Sequence, residues 1–271
     1  MITGHVSNPA FLYWHDLTAP QIQSLAPEAV VIIPLGATEQ HGPHLCTGTD
    51  TIISEAILRE LHKQPPDSGI YLQLPTQAVG ASDHHISFGG TLSIPPLLFS
   101  QLLIAQVRCL VSQGHRRIVL FNAHGGNIAP MQTALAELAV ELNEIKVIAG
   151  CLSYWQLARE SWEQIPEFSG RSLTHACEFE TSMIYAARPD LIRNPTPQKK
   201  EWNDTVEARC SLALPFSAMT EDGSFGDPGS ADAALGSQLI NTSSDAFRSF
   251  LVDFSTYDPF RMTPCAANSD S

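Results

Sequence analysis

The chain predicts an α/β fold, a single-domain α/β/α sandwich with a mainly parallel central sheet. Three observations predict it. Short apolar runs recur at residues 30–33, 70–74, 116–121 and 146–149. Stretches with the 3.6-residue period of a helix separate them. Polar loops rich in Gly, His and Asp follow two of the runs, where open parallel sheets bind their ligands.

Each element has its own justification. Residues 1–29 are a lead-in; Asp16 or Thr18 caps a short helix over 21–25, with Pro20 near its first turn. Val30, Val31, Ile32 and Ile33 form a buried strand closed by Pro34 and Gly36. Ile52, Ile53, Ala56 and Ile57 share one face of a helix that runs to Lys63. The turn cluster 64–69 leads to a second strand over 70–74. Residues 80–90, GASDHHISFGG, read as a loop. A helix over 97–113 ends at Gly114, the expected position for a C-terminal glycine. Strand 116–121 precedes the tight loop Asn122-Ala-His-Gly-Gly-Asn127, then a helix over 129–143 and a strand over 146–149. A helix is expected around 158–163, another over 175–187 ending before Pro189, and a last over 230–254 capped by Ser230 or Asp227. Residues 194–229 read as a loop excursion with an edge strand or a subunit contact. The domain spans 1–262, and 263–271 is a frayed tail.

Length and composition narrow the class. At 271 residues, with 44% apolar and 16% charged residues, the chain can bury a sizeable core. A net charge of -13 argues against nucleic acid and against anionic membrane surfaces as partners. Cys46, Cys109, Cys151, Cys177, Cys210 and Cys265 show no CxxC spacing, so they read as free thiols of a cytoplasmic protein. The N-terminus has no basic region followed by an apolar run, and no apolar stretch approaches the ~20 residues that span a bilayer.

Three loops carry chemistry. The first offers Glu39, His41, His44 and Asp50 within a dozen residues. Glu39 and His41 are two apart, so in an extended segment they point to one side. Asp50 at a helix start can direct one oxygen to each of two cations. The second loop holds His124, with glycines that let the backbone approach whatever it binds. The third is His175-Ala-Cys-Glu178-Phe-Glu180, in which His175 and Glu178 are three apart and share a helix face. Carboxylates with imidazoles make a nitrogen/oxygen site suited to Zn, Mn or Fe(II), and two ions about 3.5–4 Å apart suit this many carboxylates. Such a site performs hydrolysis by metal-bound hydroxide, with an imidazole delivering a proton to the leaving nitrogen. No GxSxG elbow, phosphate loop or GxGxxG fingerprint is present. A cysteine nucleophile, Cys46 or Cys177 beside a histidine, is the runner-up.

The segments PLGATEQHGPHLCTGTD (34–50), HHISFGGTLSI (84–94), LFNAHGGN (120–127), HACEFETSMIYAARPDLI (175–192) and GSFGDPGSADAALG (223–236) resemble the creatininase family of creatinine amidohydrolases, in the family's order. The resemblance implies a dinuclear metal centre and a homo-oligomer, a hexamer. It makes Glu39 and His41 ligands to different metals, Asp50 the bridge and His124 a further ligand. His175 matches the family's catalytic or substrate-binding histidine. Creatininase itself carries a ligating carboxylate two residues after the histidine matched by His124, and here that residue is Gly126. The missing ligand is expected from Glu178, which with His175 completes the catalytic set, or else from Glu180. The aromatic substrate contact of creatininase is Gly125 here, and its tryptophan–aspartate pair is absent before His175. These departures point away from creatinine and toward the family's other C–N hydrolases. The expected substrate is a small cyclic or linear amide.

The other aromatic and imidazole residues have two readings each. His44 binds substrate or ties down its loop. His85 contacts substrate or plays a structural part. Trp155 lines the pocket, or packs with Tyr154 in the core. His84, His5, His15, His62 and His115 are expected at the surface. The alternative from another class is a catalytically idle, metal-stabilised oligomeric scaffold.

Overall fold

The computed structural model describes residues 10–193, 197–199 and 212–260. Its centre is β2 (Val30–Leu35), buried along its whole length. A strand covered on both faces must be apolar at every position, which is why this segment reads as a continuous run. β2 pairs in parallel with β3 (Ile70–Gln73) on one side and β4 (Arg117–Asn122) on the other. β1 (Ala10–Tyr13) extends the sheet beyond β3, and β5 (Ile148–Ser153) beyond β4. The order is β1-β3-β2-β4-β5, all parallel.

Strand alternation divides the core. Val30, Ile32, Tyr71, Val119 and Phe121 face one layer. That layer is built by α2 (Thr49–Lys63), α7 (Glu178–Ala187) and α8 (Ala233–Thr256). Val31, Ile33, Leu35, Ile118 and Leu120 face the other, built by α3 (Pro96–Ser112) and α4 (Ile128–Glu144). Phe247 of α8 stacks on Phe121 at a centroid separation of 4.3 Å. Truncating such a buried ring costs about 3–5 kcal/mol.

This topology creates the crevice. The chain leaves β2 through α2 toward β3 on one side, and leaves β4 through α4 toward β5 on the other. The two connections therefore diverge at the carboxyl ends of neighbouring strands, the point where doubly wound sheets place their ligands.

The structure departs from the sequence reading at several elements. β1 lies inside the stretch read as lead-in; its four residues join the sheet only by pairing with β3. α1 (Ala19–Leu25) starts earlier than expected, because both the backbone and side chain of Thr18 donate to Gln21 Oε1 and close its first turn. The loop at 80–90 contains a 3₁₀ turn, Asp83–Phe88. Two short helices, α5 (Tyr154–Leu157) and α6 (Arg159–Trp162), replace the single one around 158–163. α8 is capped by Asp232, whose carboxylate accepts from the backbone N–H of Ala234 and Leu235. The described part of the excursion holds two turns, Phe216–Ala218 and Pro228–Ser230, and a single bridge residue at Gly226, with no edge strand. The tail 263–271 and His5 lie outside the described residues.

Candidate metal centre

The loop after β2 folds back onto the start of α2. Gly36 makes this possible, since a Cβ there would press on the Thr51 backbone at 2.9 Å. Glu39 N–H donates to Thr47 O and closes the loop. Asp50 then falls in the first turn of α2, where the helix dipole favours a carboxylate. The loop after β4 is fixed by amides: Asn122 Nδ2 donates to His124 O, and Asn127 Nδ2 donates to Gly36 O. These bonds bring His124 over the same spot.

Two imidazoles are oriented alike. His41 Nδ1 lies 3.2 Å from its acceptor Glu39 O, which leaves Nε2 facing Asp50 Oδ1 at 3.0 Å. His124 Nε2 lies 3.1 Å from its acceptor Ala81 O, which leaves Nδ1 3.2 Å from Asp50 Oδ2 and 3.3 Å from Glu39 Oε1. A backbone carbonyl behind an imidazole is the usual device for presenting the other nitrogen to a metal. Glu39, Asp50 and His124 form one potential ligand group, His41, His175 and Glu180 a second, and Glu39, His85 and His175 a third. Asp50 offers one oxygen to each side.

The charges within this buried cluster act on one another at close range. Burial pushes the His41 imidazolium down, but Asp50, with Glu180 and Glu39, overrides it and holds the group at about 10. His124 is likewise raised, against burial, by Glu39 and Asp50. Burial works against the Asp50 anion, yet His41 and His124 hold its carboxyl well below the usual range. Burial raises Glu180 to about 8. Burial lowers His85 to about 3 and drives His175 well below its ordinary value.

Glu39 Oε1, Glu39 Oε2 and Asp50 Oδ2 are buried and accept no hydrogen bond among the described residues. Leaving carboxylate oxygens desolvated and unbonded is costly. Divalent cations satisfy such oxygens, and a carboxylate–imidazole set suits Zn, Mn or Fe(II). The residues therefore fit a metal centre.

The third loop corrects the expected role of Glu178. α7 begins only at Glu178, so His175 precedes the helix and shares no face with it. The Glu178 carboxylate turns away from the site, accepting from Asp227 N–H at 2.6 Å and pairing with Arg171. Glu180, the second choice, points inward, with Oε2 4.0 Å from His41 Nε2 and accepting from Ala176 N–H. Gly126 cannot host the creatininase carboxylate, because a Cβ there would collide with Ala81 O and the His124 ring.

A cavity of about 370 Å³ opens over the cluster, lined by Glu39, Asp50, His124, His175 and Glu180 at its base. His84, His85, Trp155, Leu173 and Phe216 form its walls. His85 and Trp155 thus lie where substrate is expected. His44 does not: it is wholly buried outside the cavity, and its Nε2 donates to Thr181 Oγ1 at 3.0 Å, tying its loop to α7. His84 lines the cavity instead of the outer surface. His115 is fully buried beside Trp14, and His62 stacks on Tyr13 at 3.7 Å. Phe216 packs on His85 at 4.1 Å and on His175 at 4.9 Å, although nothing in its Pro- and Ser-rich surroundings signals it. Gln40, between two candidate ligands, also escaped the sequence reading; its place inside the motif was the available signal.

Comparison with known proteins agrees with this geometry. The Creatininase family model, described as creatinine amidohydrolase, matches residues 15–251. The mycofactocin precursor peptide peptidase of Mycobacterium tuberculosis is 32% identical over 235 residues, covering 82% of this chain and 84% of its own. The creatinine amidohydrolase of Pseudomonas putida is 30% identical over 193 residues, covering 67% and 72%. Among solved structures, a manganese creatininase superimposes with a TM-score of 0.70 at 21% identity, covering 92% of this chain and all of that one.

Proposed function

Because the chain belongs to the creatininase family, we propose that it is a metal-dependent amidohydrolase that cleaves a C–N amide bond of a small cyclic or linear amide. One observation carries this reading: the two Asp50 oxygens face His41 on one side and His124 on the other, inside a cavity that also receives Glu39 and Glu180.

Glu39, Asp50 and His124 would hold one ion, and His41, Asp50 and Glu180 a second, with Glu180 in place of the carboxylate that Gly126 lacks. Ions bound there supply Lewis-acid polarisation of the amide carbonyl and acidify a water. The chain's own residues do the rest. His175 Nε2 lies 2.8 Å from its acceptor Gln40 O, so Nδ1 offers a lone pair, 3.6 Å from Glu39 Oε1, that can take the proton lost by the attacking water and return it to the departing nitrogen. Trp155, Leu173 and Phe216 exclude water and bracket the group beside the amide. No Lys or Arg lines the cavity among the described residues. The peptidase relative keeps peptide amides within range.

Ile86, Leu92, Leu97 and Leu98 are exposed apolar residues, and the homo-oligomer rests on the family resemblance. Among the described residues Cys46, Cys109, Cys151 and Cys177 form no disulfide. No helix of the described residues is long and apolar enough to cross a membrane.

The test is elemental analysis combined with turnover of formamides, lactams, cyclic ureas and short peptides. Bound Zn, Mn or Fe, activity lost on chelation, and recovery on adding metal are expected. Full activity in metal-free protein would remove the proposal. Bound metal without turnover across the whole panel would favour the idle scaffold.

A further inference from the structure

Gln40 lies between two candidate ligands, yet its side chain points to neither. Its Oε1 accepts from Gly42 N–H at 2.9 Å. That bond fixes the amide orientation, because the reverse orientation would set NH₂ against a backbone donor. Nε2 therefore faces the cavity histidines, 2.7 Å from His85 Nδ1. An amide nitrogen can only donate, so His85 Nδ1 must accept and its proton must reside on Nε2. The main chain of the same residue acts on the other ring. Gln40 O can only accept, and it lies 2.8 Å from His175 Nε2, so His175 carries its proton there. The second Gln40 Nε2 contact, 3.1 Å to His175 Nε2, is then a juxtaposition of two donors and not a hydrogen bond.

The two rings thus turn opposite faces to the cavity. His85 presents Nε2–H, 3.4 Å from Glu39 Oε1; His175 presents the Nδ1 lone pair, 3.6 Å from the same oxygen. The first suits donation to the oxygen of a polarised carbonyl, the second the handling of a proton. Gly223 seats this arrangement. Its φ of +78° and missing Cβ let the backbone close against the Gln40 amide, where any side chain would collide.

We propose that Gln40 is a positioning residue that sets opposite tautomers on His85 and His175, the side chain fixing the donor and the backbone carbonyl fixing the acceptor. This rests on the hydrolase reading for its catalytic consequence, but the tautomers themselves can be observed without turnover.

The experiment is ¹⁵N–¹H correlation spectroscopy of the imidazoles in zinc-loaded wild-type protein and in Gln40→Glu. A glutamate carboxylate of the same shape only accepts, so His85 is expected to move its proton to Nδ1 while His175 stays protonated on Nε2. In steady-state kinetics kcat should fall by about 10²-fold, the scale of a lost proton-transfer or donor contact, with KM changed less than ~3-fold. Gln40→Met, which neither donates nor accepts strongly, should give mixed His85 tautomers and an intermediate kcat. Retention of Nε2–H on His85 in both variants would overturn the proposal, as would movement of both rings together. If no amide is turned over by wild type, the spectra still decide the tautomer assignment, and only the hydrolase reading fails.

Discussion

Polar atoms without hydrogen-bond partners occur at both ends of the sheet, in opposite circumstances. At the carboxyl ends of β2 and β4, Glu39 Oε1, Glu39 Oε2 and Asp50 Oδ2 converge on facing imidazole nitrogens. At the amino end of β4, both nitrogens of His115 are buried without a partner among the described residues, beside Trp14. The first set shares one small volume with opposite charges, and a cation would satisfy all of it. The second is a single ring with no companion, burial lowers it to about 4, and Arg116 adds to the effect. Convergence distinguishes a cluster that one cation can satisfy from a single buried ring whose desolvation nothing nearby offsets.

The largest expected effect that tests this contrast is at Asp50. Asp50→Asn should lose metal and lower kcat by about 10³-fold, equivalent to roughly 4 kcal/mol of transition-state stabilisation. His115→Leu should leave metal content and kcat as they are. If Asp50→Asn changed only the melting temperature, in the manner of His115, the contrast would collapse.

Next comes the pair on α7. Glu180→Gln should release about half of the bound metal and reduce kcat by about 10²-fold, because it removes a ligand from one side of Asp50. Glu178→Gln should retain metal and activity and cost about 1–3 kcal/mol of stability, through its weakened bonds to Arg171 and Asp227 N–H. Elemental analysis and denaturant unfolding of both variants read the two outcomes separately. A reversed result would make Glu178 the ligand.

The smallest effect is a pH slope. His115 is neutral when folded, with its pKa lowered from 6.5 to about 4. Its contribution is fully present above pH 6.5. It is lost as pH falls toward 4, because the unfolded chain takes up a proton that the folded chain does not. That loss is on the order of 3 kcal/mol. Unfolding free energies measured from pH 7 to 4 should fall less steeply in His115→Leu than in wild type. Parallel slopes would show that the ring is solvated.

Sequence legibility followed the same division. The convergence of Glu39, His41, Asp50 and His124 could be read because each lies within a few residues of a strand end or helix start, where direction follows from backbone period. The choice between Glu178 and Glu180 could not. It depends on where α7 begins: a helix starting at residue 175 turns Glu178 toward the cluster, whereas one starting at Glu178 turns Glu180 there. β1 was hidden because four residues carry too little periodicity, and its place is decided by pairing with β3. Phe216 reaches the cavity through a turn with no regular pattern. His44 sits inside the most informative segment yet serves only to fasten it, since proximity in sequence says nothing about which side of a loop a ring takes.

Ala176 adopts a φ of +52°, one of two non-glycine residues with positive φ in the described structure. An L-residue in this left-handed conformation costs about 1–2 kcal/mol. Glycine would adopt these angles without that penalty, but it would also visit a much wider range of them. The methyl group therefore works as a ratchet tooth between His175 and Glu180. It makes the bend less favourable to form, and once formed it keeps His175 and Glu180 from drifting apart.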